Sequence, residues 1–442
     1  MCHVARTGTI GAMKQSSEAS YPISFRKREA TTLGDHLRHH NSVVIIGMKR
    51  VGISNFLRFF LHHQEVPTTY IRNGAQLLTV IVDLNDLVER EIYPFWVLLL
   101  KRIVDTLEQS KVPGELKKAG QRLFTESIQL KDLFFTVDCV QKLLGQLIDH
   151  GFYPTVFLLR FDRLSEVITP EFFGNLQRLK DAAQQRLSFI FTSFRPLYEL
   201  RPDVFSKSSL SVFSRDLYMT PALATDMTTI LNTLQNRYNL NLPKAVVENL
   251  VSLSGGHVQY LHLALLVAKK LRKQPETREE LLELLLKDEE IVLQSEELFA
   301  SLTKVEQEVI LKHHRGLPFS QELQEKGRYL WETGMISSGK RGIIFSPLFE
   351  NYLHRIDTPV HGGTEFTKKE HLLFSFLKTH EGILCEREDI VSAVWPETAE
   401  MGISDWAIDR LVARVRGKLK AQKSSYGITT VITRGYKLVR TS

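Results

Sequence analysis

The chain has 442 residues, enough for about three domains that each bury a core of their own. Its 43% hydrophobic and 24% charged residues are typical of a globular protein, and no run of about 18 apolar residues predicts a membrane span. The formal charge is +7 at pH 7, and Cys2, Cys139 and Cys385 lack the spacing of a zinc site or a disulfide framework. We therefore expect a cytoplasmic protein that holds no metal and contacts no membrane.

The N-terminal region predicts a tail followed by a strand, a glycine loop and a helix. Residues 1–22 are rich in small and polar side chains, which is typical of a mobile tail. The run SVVII from Ser42 to Ile46 predicts a short buried strand, and NFLRFFLHH after the loop predicts a helix. The loop between them places Gly47, Gly52 and Ser54 at the two glycines and the hydroxyl of G-x-x-x-x-G-K-[ST]. Strand, glycine loop and helix form the local structure that binds phosphate through backbone N–H groups.

One residue of this phosphate-binding pattern is missing. Ile53 stands where the pattern has lysine, and an isoleucine brings no charge to the phosphates. Lys49 and Arg50 are the nearest cations that could replace it, but the sequence does not show where they point.

Three further apolar runs predict the rest of a sheet within residues 23–220. They are Leu77 to Val82 before Asp83, Thr155 to Leu159, and Leu187 to Phe191. Continuous apolar strands that alternate with helices predict a multidomain α/β chain with a parallel, doubly wound sheet.

The order of these elements resembles a P-loop ATPase of the AAA+/STAND kind, and LSGGHVQYLHLALLVAKKL from residue 253 resembles that family's lid helix. The resemblance implies ATP or ADP as a ligand, with Ser193 or Arg195 near a phosphate. In that family the third strand ends in D-E-x-D-R-L, and aligning Asp162 on it puts Leu159 and Arg160 where the two acids belong. The nucleotide-binding set that it implies is Gly47, Lys49, Gly52, Ser54 and Asp162. Without the lysine and both acids we expect no ATP hydrolysis, and two alternatives stay open: bound nucleotide, or a scaffold that binds none.

The middle of the chain predicts helices and a second small domain. Residues 221–290 predict a helical lid, and residues 291–356 resemble the winged helix that follows the lid in STAND ATPases. Lys340 and Arg341 fall at the tip of the expected hairpin, where a solvated turn is the first expectation and DNA contact the second. Residues 357–364 (DTPVHGGT) predict a short flexible linker.

Residues 365–442 carry several motifs in one order. They are T-x-x-E-x-x-L-L at the start, V-W-P after a second helix, S-D-x-x-I-D before a third, and a closing T-V…G-Y-K-L hairpin. Ser404 and Asp405 predict the N-cap of the third helix. Apolar residues then recur every three or four positions and predict its buried stripe: Ile408, Leu411, Val412, Val415 and Leu419. From Trp406 to the end, nine Lys or Arg stand against the one acid Asp409, which is typical of a surface that binds phosphates.

These motifs resemble the winged-helix DNA-binding domain of OmpR/PhoB-type bacterial transcription regulators. The resemblance implies double-stranded DNA as the partner and a third helix that enters the major groove. It places Trp406, Arg410, Ala413 and Arg414 toward the groove and assigns Arg416 to the backbone contact or the fold. Lys418 lies in the next turn, off the apolar stripe, and completes the set of helix residues that we expect at the DNA. The wing residues that it implies are Thr430, Arg434 and Tyr436, although the family's wing arginine is displaced by two positions here. The alternative is a solvated basic helix face, or a winged helix used for protein contacts.

We therefore expect a cytoplasmic, nucleoid-associated regulator of transcription that reads DNA sequence. Its ATPase-like part would serve sensing or oligomerisation, with a homodimer or another protein as partner. Two other functions stay open: a STAND regulator switched by ATP, and a DNA-binding scaffold of a defence or mobile element.

Overall fold

The structure, a computed structural model, describes residues 17–71, 77–205, 213, 215–337, 342–357, 366–396, 403–422, 424–431 and 434–440. The chain forms two compact units. Unit 1 comprises Met1–Leu242, Gly255–Gln259 and Tyr329–Ile343, and unit 2 comprises Pro243–Ser254, Tyr260–Arg328 and Ile344–Ser442. The division runs through the two regions predicted as a lid and as a first winged helix, so these regions do not correspond to separate units.

Unit 1 is built on a five-stranded parallel sheet with the strand order β2-β3-β4-β1-β5. Its strands are β1 (Val43–Gly47), β2 (Leu77–Asp83), β3 (Tyr153–Leu159), β4 (Ser188–Ser193) and β5 (Asp216–Met219). The three inner strands are buried along almost their whole length, while the edge strands alternate between buried and half-buried positions. The predicted doubly wound fold class and its four strands are confirmed. The fifth strand was not predicted, because β5 is a four-residue edge strand without a continuous apolar run.

Helices surround this sheet within unit 1. They are α1 (Lys27–Arg38), α2 (Ile53–His62), α3 (Ile92–Gln109), α4 (Gly114–Leu130), α5 (Leu133–Asp149), α6 (Pro170–Ala182), α7 (Leu197–Leu200), α8 (Pro202–Phe205) and α9 (Ala224–Tyr238). Short 3-10 or π turns occur at Ser17–Ser20, Pro67–Ile71, Leu84–Asp86 and Phe161–Leu164.

The last residues of the tail expected over residues 1–22 are ordered. Residues 1–16 lie outside the described part of the chain, but Ser17–Ser20 form a turn and Tyr21 is buried. The Glu18 carboxylate is also buried and accepts a hydrogen bond from Arg58 Nε at 2.8 Å. A buried aromatic ring and a paired carboxylate anchor this segment, which composition alone did not indicate.

Unit 2 begins with helices. They are α10 (Lys244–Ser254), α11 (Val258–Lys270, whose first residues belong to unit 1), α12 (Arg278–Leu286), α13 (Glu289–Ala300), α14 (Lys304–His314), α15 (Gln321–Lys326) and α17 (Pro347–Asp357); α16 (Tyr329–Glu332) lies in unit 1. Polar side chains cap α13 and α14: Asp288 Oδ1 accepts from two amides of α13, and Thr303 with Glu306 forms a capping box on α14. Lys340 and Arg341, as well as residues 358–364 of the expected linker, lie outside the described residues. Asp357, expected in the linker, ends α17 instead and pairs with Arg315.

The remainder of unit 2 is a winged helix. Its elements are α18 (Lys368–Thr379), β6 (Cys385–Glu386), α19 (Arg387–Val394), α20 (Asp405–Ala421), β7 (Tyr426–Val431) and β8 (Gly435–Arg440). The strands form an antiparallel sheet in the order β6-β8-β7. Gly435 is required where β8 meets β6, since a Cβ atom there would lie 2.0 Å from the carbonyl oxygen of Cys385. No helix in the described parts of either unit has the length and apolarity that a membrane span requires.

Candidate nucleic-acid interface and glycine loop

Helix α20 is held in place by its apolar face. Ser404 Oγ accepts a hydrogen bond from the amide of Ala407 at 3.1 Å, which caps the helix as predicted. The predicted stripe is buried without exception: Ile408, Leu411, Val412, Val415 and Leu419. These side chains pack into one core with Leu373 of α18, Trp395 and Leu438 of β8. This core fixes the orientation of α20, so the opposite face of the helix points away from the core.

The opposite face of α20 carries the predicted groove-facing residues. Ala413 is exposed, the Arg410 side chain is half-exposed at 49%, and the Arg414 side chain is less exposed at 24%. Trp406 packs partly against the core of the domain, so its ring is only partly available. The structure thus brings Arg410, Ala413 and Arg414 together on one surface.

Both arginines contact a single carboxylate that sequence reasoning missed. Arg410 Nε donates to Glu296 Oε2 at 3.1 Å, and Arg414 Nη2 pairs with the same oxygen. Glu296 belongs to α13, more than a hundred positions earlier in the chain, and no local pattern signals such a contact. The pKa of the neighbouring Tyr352 is raised to about 12, mainly by burial and also by Glu296, while the two arginines lower it.

Two basic residues expected at the DNA have partners inside the domain. Arg416 donates from Nε to the Ile428 carbonyl and from Nη2 to Thr430 Oγ1, both at 2.8 Å, and so ties α20 to β7. Lys418 Nζ lies 2.6 Å from Oε2 of the buried Glu370, the residue that completes the capping box of α18. Glu370 would lose its ion-pair partner if Lys418 turned toward a phosphate, so here Lys418 stabilises the fold rather than extending the basic surface.

The wing residues divide into exposed and buried ones. Thr430 and Arg434 are exposed, and Arg434 pairs with Glu386 at 3.6 Å. Tyr436, expected at the DNA, is instead only 2% exposed. Its hydroxyl donates to Asp409 and accepts from Arg387 Nη2 at 3.2 Å, and burial raises its pKa to about 12. An aromatic ring that fills the core of the domain cannot present its face to DNA.

The glycine loop of unit 1 keeps the backbone that its motif predicts. Gly47 ends β1, and Gly52, with a φ of 117°, precedes the first residue of α2. A Cβ atom at Gly52 would lie 2.6 Å from Val258 Cγ2, so the position needs glycine on two grounds. The carbonyl oxygen of Lys49 accepts a hydrogen bond from His257 Nε2 at 2.9 Å, which supports the loop from behind.

The side chains around the loop include an apolar residue at the motif's lysine position and two charged groups. Ile53 is half-buried, Ser54 is exposed, and Lys49 Nζ lies 5.1 Å from the centre of the Phe194 ring. Burial raises the pKa of Asp162, while Lys49, Arg163 and Arg160 lower it. Lys49 and Asp162 therefore interact electrostatically.

A pair of opposite charges joins the end of β3 to the end of β2. Leu159 pairs in register with Asp83 of β2, and the next residue, Arg160, forms an ion pair with Asp83. The backbone amide of Arg160 donates to Thr192 Oγ1 at 2.8 Å. Ser193 and Arg195 are buried, and the Arg195 guanidinium stacks 3.9 Å above the Tyr329 ring. Among the described residues no group of three or more His, Cys, Asp and Glu side chains is placed to hold a metal ion.

Comparison with known proteins gives one family and a set of loosely similar structures. Residues 361–438 match the family described as "Transcriptional regulatory protein, C terminal". No curated protein matches the chain significantly. Similar solved structures include the Walker-type ATPase PABY2304 of Pyrococcus abyssi, with 15% identity, a TM-score of 0.49, and coverage of 78% of this chain and 99% of that one. The ORC2 protein of Aeropyrum pernix has 14% identity, a TM-score of 0.46 and coverage of 78% and 99%. The ORC1 protein of Aeropyrum pernix, solved in complex with DNA, has 12% identity, a TM-score of 0.39 and coverage of 96% and 90%.

The family match and the geometry agree at the C-terminus. The matched span contains α18, β6, α19, α20 and most of the β7-β8 hairpin, which are the elements of a winged helix. The C-terminal part of this chain is therefore a winged helix that is similar to the C-terminal DNA-binding domain of OmpR/PhoB-type transcriptional regulators, and the chain also contains a unit with a parallel α/β sheet.

Proposed function

We propose that this protein regulates transcription by binding specific DNA sequences through α20. One observation carries the proposal: Arg410, Ala413 and Arg414 share the face of α20 that is opposite its buried stripe. A helix of this kind fits the major groove, and arginine can donate two hydrogen bonds to a guanine. Arg434 on the wing is exposed and adds a cation that can contact the DNA backbone or the minor groove.

The ATPase-like unit serves sensing or oligomerisation in this proposal, without ATP hydrolysis. Catalysis of phosphoryl transfer depends on cations and metal-binding acids that surround the γ-phosphate. This chain has Ile53 at the lysine position, and Leu159 and an Asp83-paired Arg160 at the positions of the acids. Two copies joined through this unit would place two winged helices on paired half-sites and so raise the affinity. Light scattering with the selected DNA tests the dimer, and one protein per duplex at micromolar concentration would exclude it.

The first experiment selects the genomic DNA fragments that the whole chain binds and then measures its affinity for the selected fragments by titration. Arg410→Ala with Arg414→Ala removes the two donors, and each good base contact contributes about 1–3 kcal/mol of discrimination. We therefore expect the double variant to bind the selected fragment roughly a hundredfold more weakly and with a shallower dependence on salt.

The matched control is Arg122→Ala with Lys142→Ala. It removes the same charge from exposed side chains on α4 and α5 of unit 1. It should bind the fragment like the parent. Equal weakening of both double variants would mean that only net charge matters. Binding of every sequence with a steep salt dependence would instead favour the scaffold of a defence or mobile element.

A nucleotide-switched regulator is the second candidate, favoured by the intact backbone of the glycine loop. Gly52 in the left-handed region, the helix N-terminus that follows it, and the Lys49 and Asp162 pair would suit a nucleotide phosphate and its counter-ion. The same DNA titration with and without ATP and magnesium separates the candidates. A strong change of affinity on adding ATP supports the switch, and no change supports the scaffold role of this unit.

A further inference from the structure

One face of α13 contacts the winged helix along its length, and all of these contacts lie within unit 2. Glu289, Leu293 and Glu296 recur every three or four residues and share that face, and Glu290 borders it three residues before Leu293. Three of the four are acidic, whereas the winged helix that they meet is basic.

The first contact is with the N-terminus of α18. The two carboxylate oxygens of Glu289 accept hydrogen bonds from the amides of Lys368 at 3.0 Å and Lys369 at 3.1 Å. Amides in the first turn of a helix have no partner within the helix, and a carboxylate there is also favoured by the helix dipole. Glu290 adds an ion pair with Lys369 Nζ at 2.8 Å, and both of these side chains are largely buried.

The second contact is apolar. Leu293 is 7% exposed and belongs to the core of the winged helix, together with Trp395 and the stripe of α20. Removing its side chain from water contributes on the order of 2 kcal/mol. It places α13 beside α20.

The third contact involves the DNA-reading groups themselves. Glu296 binds Arg410 Nε at 3.1 Å and also Arg414 Nη2. A carboxylate that accepts hydrogen bonds from guanidinium groups resembles a DNA phosphate or a guanine edge in charge and in hydrogen bonding. The same N–H donors cannot serve Glu296 and a base at one time.

We propose that α13 is an intramolecular competitor of DNA, in which Glu296 occupies the reading arginines until α13 is released. The proposal rests on the proposed function, because it requires Arg410 and Arg414 to contact DNA. When only a fraction of the molecules is released, the apparent dissociation constant rises by the inverse of that fraction. Any ligand or partner that favours the released state then strengthens DNA binding, and DNA strengthens the binding of that ligand by the same factor.

The test compares Glu296→Gln with the parent in the DNA titration, using the full chain and the selected fragment. Glutamine keeps the size of the side chain but loses the charge, so the arginines are released and apparent affinity should rise roughly tenfold. Glu283→Gln is the control, since it removes one charge from an exposed position on the neighbouring α12. Glu289→Gln weakens the other end of the contact without touching either arginine, and it should raise affinity by a smaller factor.

Amide hydrogen exchange gives a second readout away from the DNA. DNA bound to the parent should speed exchange at the amides of Lys368 and Lys369, because release of α13 takes Glu289 from them. Glu296→Gln should speed exchange at the same amides without DNA.

The outcomes separate this proposal from the proposed function. If the parent binds selected DNA through Arg410 and Arg414 but Glu296→Gln and Glu289→Gln bind no tighter, α13 does not compete and the inference is overturned. If neither the parent nor either released variant binds DNA, the proposed function falls and the inference falls with it. A misfolded Glu296→Gln would lower binding, and Glu289→Gln and the exchange readout on the parent then decide the question.

Discussion

The charged residues of α20 and those around the glycine loop both lie on ordered supports, but they match the sites predicted from the sequence to different degrees. Arg410 and Arg414 pair with Glu296 at a partly exposed surface, where the proposed DNA contact would replace that carboxylate by a phosphate or a base. At the loop, Arg160 pairs with Asp83 at the sheet edge, and Asp162 has its pKa raised by burial. In the winged helix, the two arginines therefore stand on an ordered helix and can exchange one anionic partner for another. The loop has an equally ordered support and a partly exposed ion pair beside it, but Ile53 brings no charge to the position of the motif's lysine. An ordered backbone gives a binding site its shape, but binding of an anionic ligand also needs cations that are able to contact it.

The largest expected effect concerns His257, which supports the glycine loop and should make the free energy of unfolding depend on pH. This side chain is fully buried with its Nε2 bonded to the Lys49 carbonyl, and burial lowers its pKa to about 4, while the hydrogen bond opposes that shift. An unfolded histidine takes up a proton near pH 6.5, whereas the folded one does so only near pH 4. The histidine's contribution is therefore fully present above about pH 6.5 and is lost as pH falls toward 4, by about 3 kcal/mol.

Urea unfolding of the parent and of His257→Gln between pH 7 and pH 4.5 measures this contribution. Glutamine can still donate to the Lys49 carbonyl but does not titrate, so the stability of the variant should fall less steeply with acid. His371→Gln, which changes an exposed histidine of α18, should behave like the parent. If the parent and His257→Gln lose stability in parallel, the buried histidine does not limit unit 1.

Local patterns predicted the elements well and the distant contacts poorly. The stripe from Ile408 to Leu419 and the Ser404 cap followed from helical spacing, because burial and capping repeat at fixed intervals along one helix. Glu296 and Glu370 were missed because the partners of Arg414 and Lys418 come from other helices. Charge composition counted Lys418 as part of a DNA surface, although its ammonium group pairs with a buried carboxylate. Composition counts cations, and only the fold shows which of them are already paired.

Within the winged helix, Tyr436 is expected to stabilise the fold and Arg434 to contact DNA. Tyr436→Phe removes a hydroxyl that bonds to Asp409 and Arg387, which should cost about 1–2 kcal/mol of unfolding free energy. Its ring stays in the core, so DNA affinity should stay within about twofold of the parent under conditions where the domain is folded. Arg434→Ala should do the opposite, weakening DNA binding with little change in stability. Denaturant unfolding and the DNA titration measure both quantities. If Tyr436→Phe had unchanged stability but bound DNA much more weakly, the Tyr436 hydroxyl would belong to the DNA interface after all.

Restoring one charge to the loop tests whether its support can still be used. Ile53→Lys places an ammonium group on the first residue of α2, where the phosphate-binding pattern has its lysine. If the backbone is a preserved phosphate site, ATP affinity should rise roughly tenfold, or about 1.4 kcal/mol. Ile53→Met is the control, because it changes the shape of the side chain without adding charge. Equilibrium dialysis with labelled ATP measures binding, and release of inorganic phosphate measures hydrolysis.

Hydrolysis should not accompany this gain in affinity, because Leu159 and the Asp83-paired Arg160 leave the third strand without its two acids. Phosphate release by Ile53→Lys would therefore show that Asp162 or Asp83 can replace them. Equal ATP affinities of the lysine and methionine variants would show instead that this ordered loop is a structural turn that does not bind the phosphates of ATP.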